Sequence, residues 1–375
     1  MLSSLLPALA AALDGAGPAL LPLPTGGSRA DVLTAMGPAA PLERDDVALV
    51  VPTSGSTGEP KGSMLTADAL RHSARATHDR LGGDGQWLLA LPVTHVAGLA
   101  VLVRSLLART RPEVVDLYGG FDVAAFVAAS GRLADGVRHY TSLVPTQLRR
   151  LLDAGDDALQ SLRAYDAVLV GGAALSRTLH ERAVAAGARV VTTYGMSETC
   201  GGCVYDGRPL DGVEVRLRDD GRIELGGPTV FVGYRLRPDL TAAALVDGRH
   251  VTQDIGHIAE DGRLQILSRV DDVVISGGEN VPTGLVEQVI GDHPCVAAVA
   301  VIGVPDDEWG QRVVAVVQAT VASAAPTLEE LRTYAAERLA PASFPRELVV
   351  LGTLPLLPSG KLDKNAVRSL VAARH

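Results

Sequence analysis

Ten residues, Thr53-Ser-Gly-Ser-Thr-Gly-Glu-Pro-Lys-Gly62, gather hydroxyls, glycines and a lysine directly behind the apolar run Val47–Pro52. Glycines let main-chain amides converge on one centre, hydroxyls add donors, and Lys61 adds positive charge. That chemistry suits phosphate. A helix is expected from Ala67 to about Leu81, so the loop reads as lying between a strand and a helix, where free amides favour an anion. It is not a Walker A loop. Lys61 follows Gly55 by six positions, but Pro60 stands where that pattern needs Gly and Gly62 where it needs Ser or Thr. A plain polar connection is the alternative.

Other chemistry-bearing residues follow along the chain. In Tyr194-Gly-Met-Ser-Glu-Thr199 a carboxylate, Glu198, adjoins the hydroxyl of Ser197 just after an apolar run; a surface charge is the bland reading. Asp254 and Arg269 form an acceptor and a donor, or simply a salt bridge. Lys361 lies in a glycine-proline turn near the last residues, a mobile setting. His95 is either a site residue or a satisfied core histidine. Arg104 breaks an apolar helical stretch with a permanent charge, so it either meets an anion or snorkels to a structural partner. Cys200 and Cys203 form C-G-G-C, yet no second pair or nearby His completes a zinc site. Two small residues in a glycine loop are favoured over a redox pair.

These residues need a scaffold. Apolar runs at Val47–Pro52, Trp87–Leu91, Glu113–Leu117, Arg138–Leu143, Ala167–Val170 and Arg189–Thr193 alternate with helical stretches near 97–109, 122–134, 146–153 and 176–186. Such alternation predicts parallel β-α units and a mostly parallel sheet covered by helices. Short turn-bounded strands at Val213–Leu217, Arg222–Leu225 and Gly262–Leu267 suggest a small β-subdomain. Beyond Arg269 a compact α+β pattern begins, with helices 284–291, 328–339 and 364–373 and strands 296–302, 312–321 and 347–351. The expected organisation is α/β, with a large domain over 1–268 and a small one over 269–375.

Composition narrows the partners. At 375 residues, about 2.5 domains are expected. Hydrophobic residues at 47% support sizeable cores, and aromatics at 3% leave few rings for base stacking. The net charge, 34 − 43 = −9, is the wrong sign for a nucleic-acid binder, though a small polyanion can still be gripped locally. The apolar start, Met1–Leu13, lacks a basic n-region and reads as a short helix interrupted at Pro7. No run approaches the ~18 apolar residues of a membrane span. A cytoplasmic chain acting on small molecules is expected, and a homo-oligomer is compatible with the same reading.

Taken in order, these motifs resemble the acyl-adenylate-forming enzymes: acyl-CoA synthetases, peptide-synthetase adenylation domains and firefly-type luciferases. The carriers are TSGSTGEPKG, Gly171-Gly-Ala-Ala174, Tyr194-Gly-Met-Ser-Glu-Thr199, TQDIG, SRVDD, ISGGENV and PSGKLDK, spread from about residue 46 to the end. The resemblance implies ATP, Mg²⁺ and CoA. It puts Thr53, Ser54, Gly55, Ser56, Thr57, Gly58 and Lys61 on the phosphates and Gly172, Ala173, Ala174 and Tyr194 at the adenine. It puts Asp254 and Arg269 at the ribose. Glu198 would hold Mg²⁺, Ser197 would donate to the α-phosphate, and Lys361 would bridge carboxylate and phosphate. Asp271 would be the hinge that exchanges Lys361 for a CoA face at Gly277 and Gly278.

Within this family, the short N-terminal part, YGMSETCGGCVYDG and LPVTHVAGLAVLVRSLLA are most similar to the o-succinylbenzoate–CoA ligase branch. On that resemblance His95, Arg104, Gly195 and Met196 line the acyl pocket, with Arg104 gripping the carboxylate that does not react. Ser197 replaces a usual Thr, Gln253 a frequent Gly and Thr94 a frequent aromatic. Another acyl-CoA synthetase, or an adenylation module loading a carrier protein, is the alternative. A nucleotide binder without turnover is disfavoured by Glu198 and Lys361.

Overall fold

The computed structural model describes residues 2–24, 29–54, 59–356 and 362–374. They group into two compact units, Met1–Gly172 with Ala183–Thr252, and Ala173–Arg182 with Gln253–His375.

In the first unit, α1 (Leu2–Leu13) runs through Pro7 instead of breaking there. Burial of Leu9, Ala12 and Leu13 offsets the hydrogen bond that the proline removes. After α2 (Arg29–Met36), β1 (Val47–Ser54) and β2 (Pro60–Thr66) form an antiparallel pair. Val47, Val50 and Met64 of this pair pack with Val32 and Met36. Thr66 caps α3 (Ala67–Leu81) by accepting from Ala69 N at 3.1 Å, and Gly82 in the left-handed region closes it.

The main sheet holds β3 (Gly85–Leu89), β4 (Glu113–Val114), β5 (Arg138–Leu143), β6 (Ala167–Gly171), β7 (Val190–Met196), β8 (Gly201–Tyr205) and β9 (Arg208–Pro209). Its order is β4-β3-β5-β6-β7-β8-β9, parallel as far as β7 and antiparallel beyond. The helical crossovers are α4 (Val96–Leu107), α5 (Val123–Ser130), α6 (Pro145–Asp153), α7 (Asp156–Arg163) and α8 (Arg177–Ala185). Parallel strands demand such crossovers, and their carboxyl ends then share one edge, where loops are free to carry chemistry. A second sheet follows the order β10 (Glu214–Leu217), β11 (Arg222–Gly226), β13 (Arg249–Ile258), β12 (Leu245–Val246), with α9 (Pro238–Ala244) before β12.

In the second unit the later part of β13 pairs with β14 (Leu264–Arg269). The hairpin of β15 (Val273–Ser276) and β16 (Glu279–Pro282) turns through Gly277 at φ 61° and Gly278 at φ 83°. A two-residue turn with both φ positive is where a Gly-Gly pair is needed. There follow α10 (Thr283–Gly291), β17 (Val296–Asp306), β18 (Gly310–Ala319), α11 (Leu328–Ala335), β19 (Glu347–Leu351) and α12 (Lys364–Ala372). Alternation along β18 sends Val313, Ala315 and Val317 to a core with Val286, Ile290 and Leu331. Val314 and Val316 face the other way, toward Val349, Val367 and Val371.

Candidate active site

The phosphate-loop segment does not lead into a helix. Thr53 pairs with Lys61 and Ser54 with Pro60 in the antiparallel β1–β2 pair, and α3 starts only at Ala67. A strand, Pro60–Thr66, and not a helix N-terminus follows Glu59, and the charge of Lys61 remains. Gly55, Ser56, Thr57 and Gly58 lie outside the described residues. Gly62 is fixed by space: a Cβ there would stand 2.3 Å from Met36 Sδ and 2.7 Å from Val50 Cγ1.

Lys61 meets Glu198. Its Nζ lies 3.2 Å from Glu198 Oε1, and both bond to the Tyr234 hydroxyl, which accepts from Lys61 and donates to Glu198, each at 2.7 Å. Glu198 is placed by the β7–β8 connection. β7 ends at Tyr194-Gly195-Met196, Ser197–Thr199 forms one 3-10 turn, and Cys200 at φ 57° reverses the chain into β8. The turn is closed by Thr199 Oγ1, which accepts from Met196 N and donates to Gly201 O. Gly195 must be glycine, since a Cβ would stand 2.0 Å from Gly201 O. Ser197 and Glu198 are both buried. Burial pushes the Glu198 carboxyl up, but Lys61, His250 and the Tyr234 hydroxyl together bring it below its ordinary value. Burial, then Glu198 beside it, pushes the Tyr234 phenol well up, so its proton stays in place.

Other expected residues of this unit share the carboxyl edge of the parallel strands. Gly172, exposed at φ 79°, follows β6; Tyr194 is in the last three residues of β7; His95 follows β3 as the residue before α4. His95 is exposed, which removes the core-histidine reading. Exposed Ala173 and Ala174 come next in the chain and group with the second unit.

Arg104 lies in the core. Nine residues beyond His95, it is about half a turn out of phase and about 13.5 Å along the axis. It is 3% exposed, lies 4.9 Å over the Trp87 ring and donates to the Tyr205 hydroxyl at 3.1 Å. The charge in the apolar helix thus has the structural partners that the sequence left open, a Trp ring and a Tyr hydroxyl, while its Nε is buried without a hydrogen bond.

In the second unit Asp254 and Arg269 are cross-strand partners, with Oδ1 3.8 Å from Nη1, and Arg269 is equally far from Asp271. Arg269 remains half exposed, so the ion pair leaves it able to reach a ligand hydroxyl. Asp271 sits in the 3-10 turn Val270–Asp272. Gly277 and Gly278 border an open groove of about 510 Å³ with Ile275, Glu308, Trp309 and Gln311. Lys361 lies outside the described residues.

Comparison with known proteins adds the decisive observation. The AMP-binding enzyme family model matches residues 9–235, and the model of that enzyme's C-terminal domain matches 285–361. This chain belongs to the AMP-binding enzyme family. A Mycobacterium tuberculosis protein named "Probable 2-succinylbenzoate–CoA ligase" is 47% identical over 367 residues, 97% of this chain and 94% of its own. The Bacillus subtilis o-succinylbenzoate CoA synthetase, solved with its acyl-adenylate intermediate, superposes with a TM-score of 0.74 at 30% identity, covering 87% of this chain and 70% of that one. The same synthetase solved with ATP and magnesium gives 0.74 at 30% identity, with 87% and 71% covered.

The AMP-binding enzyme has a donor set that suits a magnesium ion. Among the described residues no group of three or more His, Cys, Asp or Glu could hold a metal alone. Mg²⁺ is commonly held by one or two carboxylates together with substrate phosphates and water, and a buried single carboxylate beside a lysine fits that use. Cys200 and Cys203 are free and buried, and burial pushes both thiols up, Cys203 to about 12, away from the thiolate that a redox pair uses. No helix among the described residues is long and apolar enough to cross a membrane. Tyr234 and His250 were missed by sequence reasoning. Tyr234 carried one faint signal, an aromatic beside an arginine in a chain with only 7 Tyr.

Proposed function

We propose that this enzyme activates 2-succinylbenzoate with ATP as an acyl-adenylate, releasing pyrophosphate, and passes the acyl group to CoA, releasing AMP. The observation that carries the reading is the extent of likeness to the mycobacterial ligase, which spans nearly all of both chains. The site chemistry agrees with it: a buried carboxylate and a lysine converge where the carboxyl edge of a parallel sheet carries Gly172, Tyr194 and His95.

In this reading Lys61, with Thr53 to Gly58, takes the phosphates, and Ser197 donates to the α-phosphate. Tyr194 stacks at the adenine beside Gly172, Ala173 and Ala174, and Asp254 accepts from the ribose while Arg269 donates to it. Glu198 would hold Mg²⁺, whose charge would offset that of the phosphates. His95, Gly195 and Met196 border the acyl group. Lys361 brings its cation to the charge that develops as carboxylate oxygen attacks phosphorus. Residues 269–375 then turn about Asp271, withdrawing Lys361 and presenting Gly277 and Gly278 to CoA. The enzyme works in the cytoplasm on small molecules.

The test is pyrophosphate exchange across a panel of acids, followed by mass analysis of products with free CoA. Exchange dependent on 2-succinylbenzoate and its CoA thioester are expected. Preference for another acid, or transfer only to a carrier protein, would overturn the reading.

A further inference from the structure

The Tyr234 phenol stands where two opposed charges meet, and the chemistry above gives it no task. It accepts from Lys61 Nζ and donates its single proton to Glu198 Oε1, while Lys61 also lies 4.1 Å from its ring centroid. One carboxylate oxygen is thus shared between an ammonium and a phenol. For Lys61 to turn toward a phosphate it must leave Glu198, and a buried carboxylate stripped of its cation is costly unless a donor remains. We propose that Tyr234 is a positioning residue, holding Glu198 hydrogen-bonded and aimed at the incoming metal-nucleotide complex while Lys61 moves to the phosphates. The inference rests on the assignment of Lys61 to phosphate and Glu198 to Mg²⁺.

The surroundings of Tyr234 are built to hold it still. The segment 232–235 runs beside β2 through Val232 N to Met64 O, Met64 N to Gly233 O and Arg235 N to Gly62 O, so Tyr234 and Lys61 are kept in register by main-chain bonds. Tyr234 N donates to Thr241 Oγ1 at 2.8 Å, and the Phe231 ring meets the phenol ring edge-on at 4.8 Å. The next residue, Arg235, is anchored by five hydrogen bonds to the 36–43 segment. A hydroxyl so fixed cannot follow Lys61 when it leaves.

The experiment measures ATP binding to the full chain by calorimetry, with and without Mg²⁺ and without any acid. Mg²⁺ is expected to strengthen ATP binding in the wild type. Tyr234→Phe keeps the ring and loses the hydroxyl, and the strengthening should fall about tenfold or more, since bonds to charged groups are the stronger kind. Binding without Mg²⁺ should change far less. In a Glu198→Gln background the same substitution should add almost nothing, because it acts through that carboxylate. An undiminished Mg²⁺ effect, equal losses with and without Mg²⁺, or a full further loss in the Glu198→Gln background would each overturn the proposal. If Tyr234→Phe does not fold, Thr241→Val, which removes the acceptor for Tyr234 N, should weaken the Mg²⁺ effect in the same direction, and no change overturns it. Because no acid is present, an error in the assigned acid leaves these outcomes untouched.

Discussion

Lys61 and Glu198, 137 positions apart, form a 3.2 Å ion pair whose members are unequally buried, with side chains 24% and 8% exposed. The inequality predicts unequal costs. Lys61→Ala leaves a buried anion with Tyr234 as its donor and should destabilise by about 3 kcal/mol, the low end for a broken buried pair. Glu198→Gln frees a lysine that can reach water and should cost about 1 kcal/mol. Urea denaturation of both variants decides it, and equal costs would contradict the account.

Arg104 packs on Trp87 and Tyr205, so Arg104→Ala should act on stability first. Loss of the ring contact and of the donor to a buried hydroxyl predicts about 2–4 kcal/mol. Turnover of 2-succinylbenzoate and of an analogue lacking its ring carboxylate should fall in parallel. Selective loss on the dicarboxylate alone would give this residue a specificity role.

The third prediction concerns acid. Buried His78 has Nδ1 2.8 Å from Asp84 Oδ1, and its Nε2 accepts from Trp87 Nε1 at 3.2 Å. Burial lowers its pKa, Asp84 pulls it up and Arg104 pushes it down, leaving it below the ordinary 6.5. Between the folded-state value and 6.5 the unfolded chain binds a proton that the folded chain does not, so stability rises with pH there. The contribution is complete above the unfolded value and is lost as pH falls below it. Denaturation midpoints at about pH 5 and about pH 7.5 should differ more for wild type than for His78→Gln. A larger acid loss in the variant would reverse the sign and refute the argument.

Lys361→Ala should suppress adenylate formation by roughly a hundred- to a thousandfold, the loss typical of removing one donor to developing charge. A supplied acyl-adenylate should still react with CoA. The check is to follow the two half-reactions separately, and unimpaired ATP consumption would end the assignment.

Much of this was legible in the chain. Strand runs separated by helical periodicity gave the parallel part of the main sheet, because both periods are set by local geometry. The β1–β2 hairpin was not legible: Pro60, Lys61, Gly62 and Ser63 are poor strand formers, and only pairing with Ser54, Thr53, Pro52 and Val51 makes them a strand. Pro60 is tolerated as the first residue of that strand. The partners of Arg104 stayed hidden for a related reason. A charge in an apolar helix advertises a partner, but Trp87 on β3 and Tyr205 on β8 are supplied by the tertiary fold, which periodicity does not encode. Tyr234 stayed hidden likewise, its partners lying 36 and 173 positions away.

Arg235 bonds to the carbonyls of Met36, Gly37, Ala40 and Pro41 and, at the end of the run, to the carboxylate of Glu43. Four of these five contacts recognise backbone alone, so the segment is held without regard to most of its side chains. Pro38, Ala39, Ala40 and Pro41 are thus free to drift in sequence as long as the oxygens of the segment keep their places, whereas Gly37, at φ 48°, and position 235 are not. Lysine offers three donors on one nitrogen where arginine offers five in a planar fork, and no exchange at 38–41 can make up the shortfall. A library randomised over 38–41 should therefore yield many folded chains, and one randomised at 235 should yield almost none.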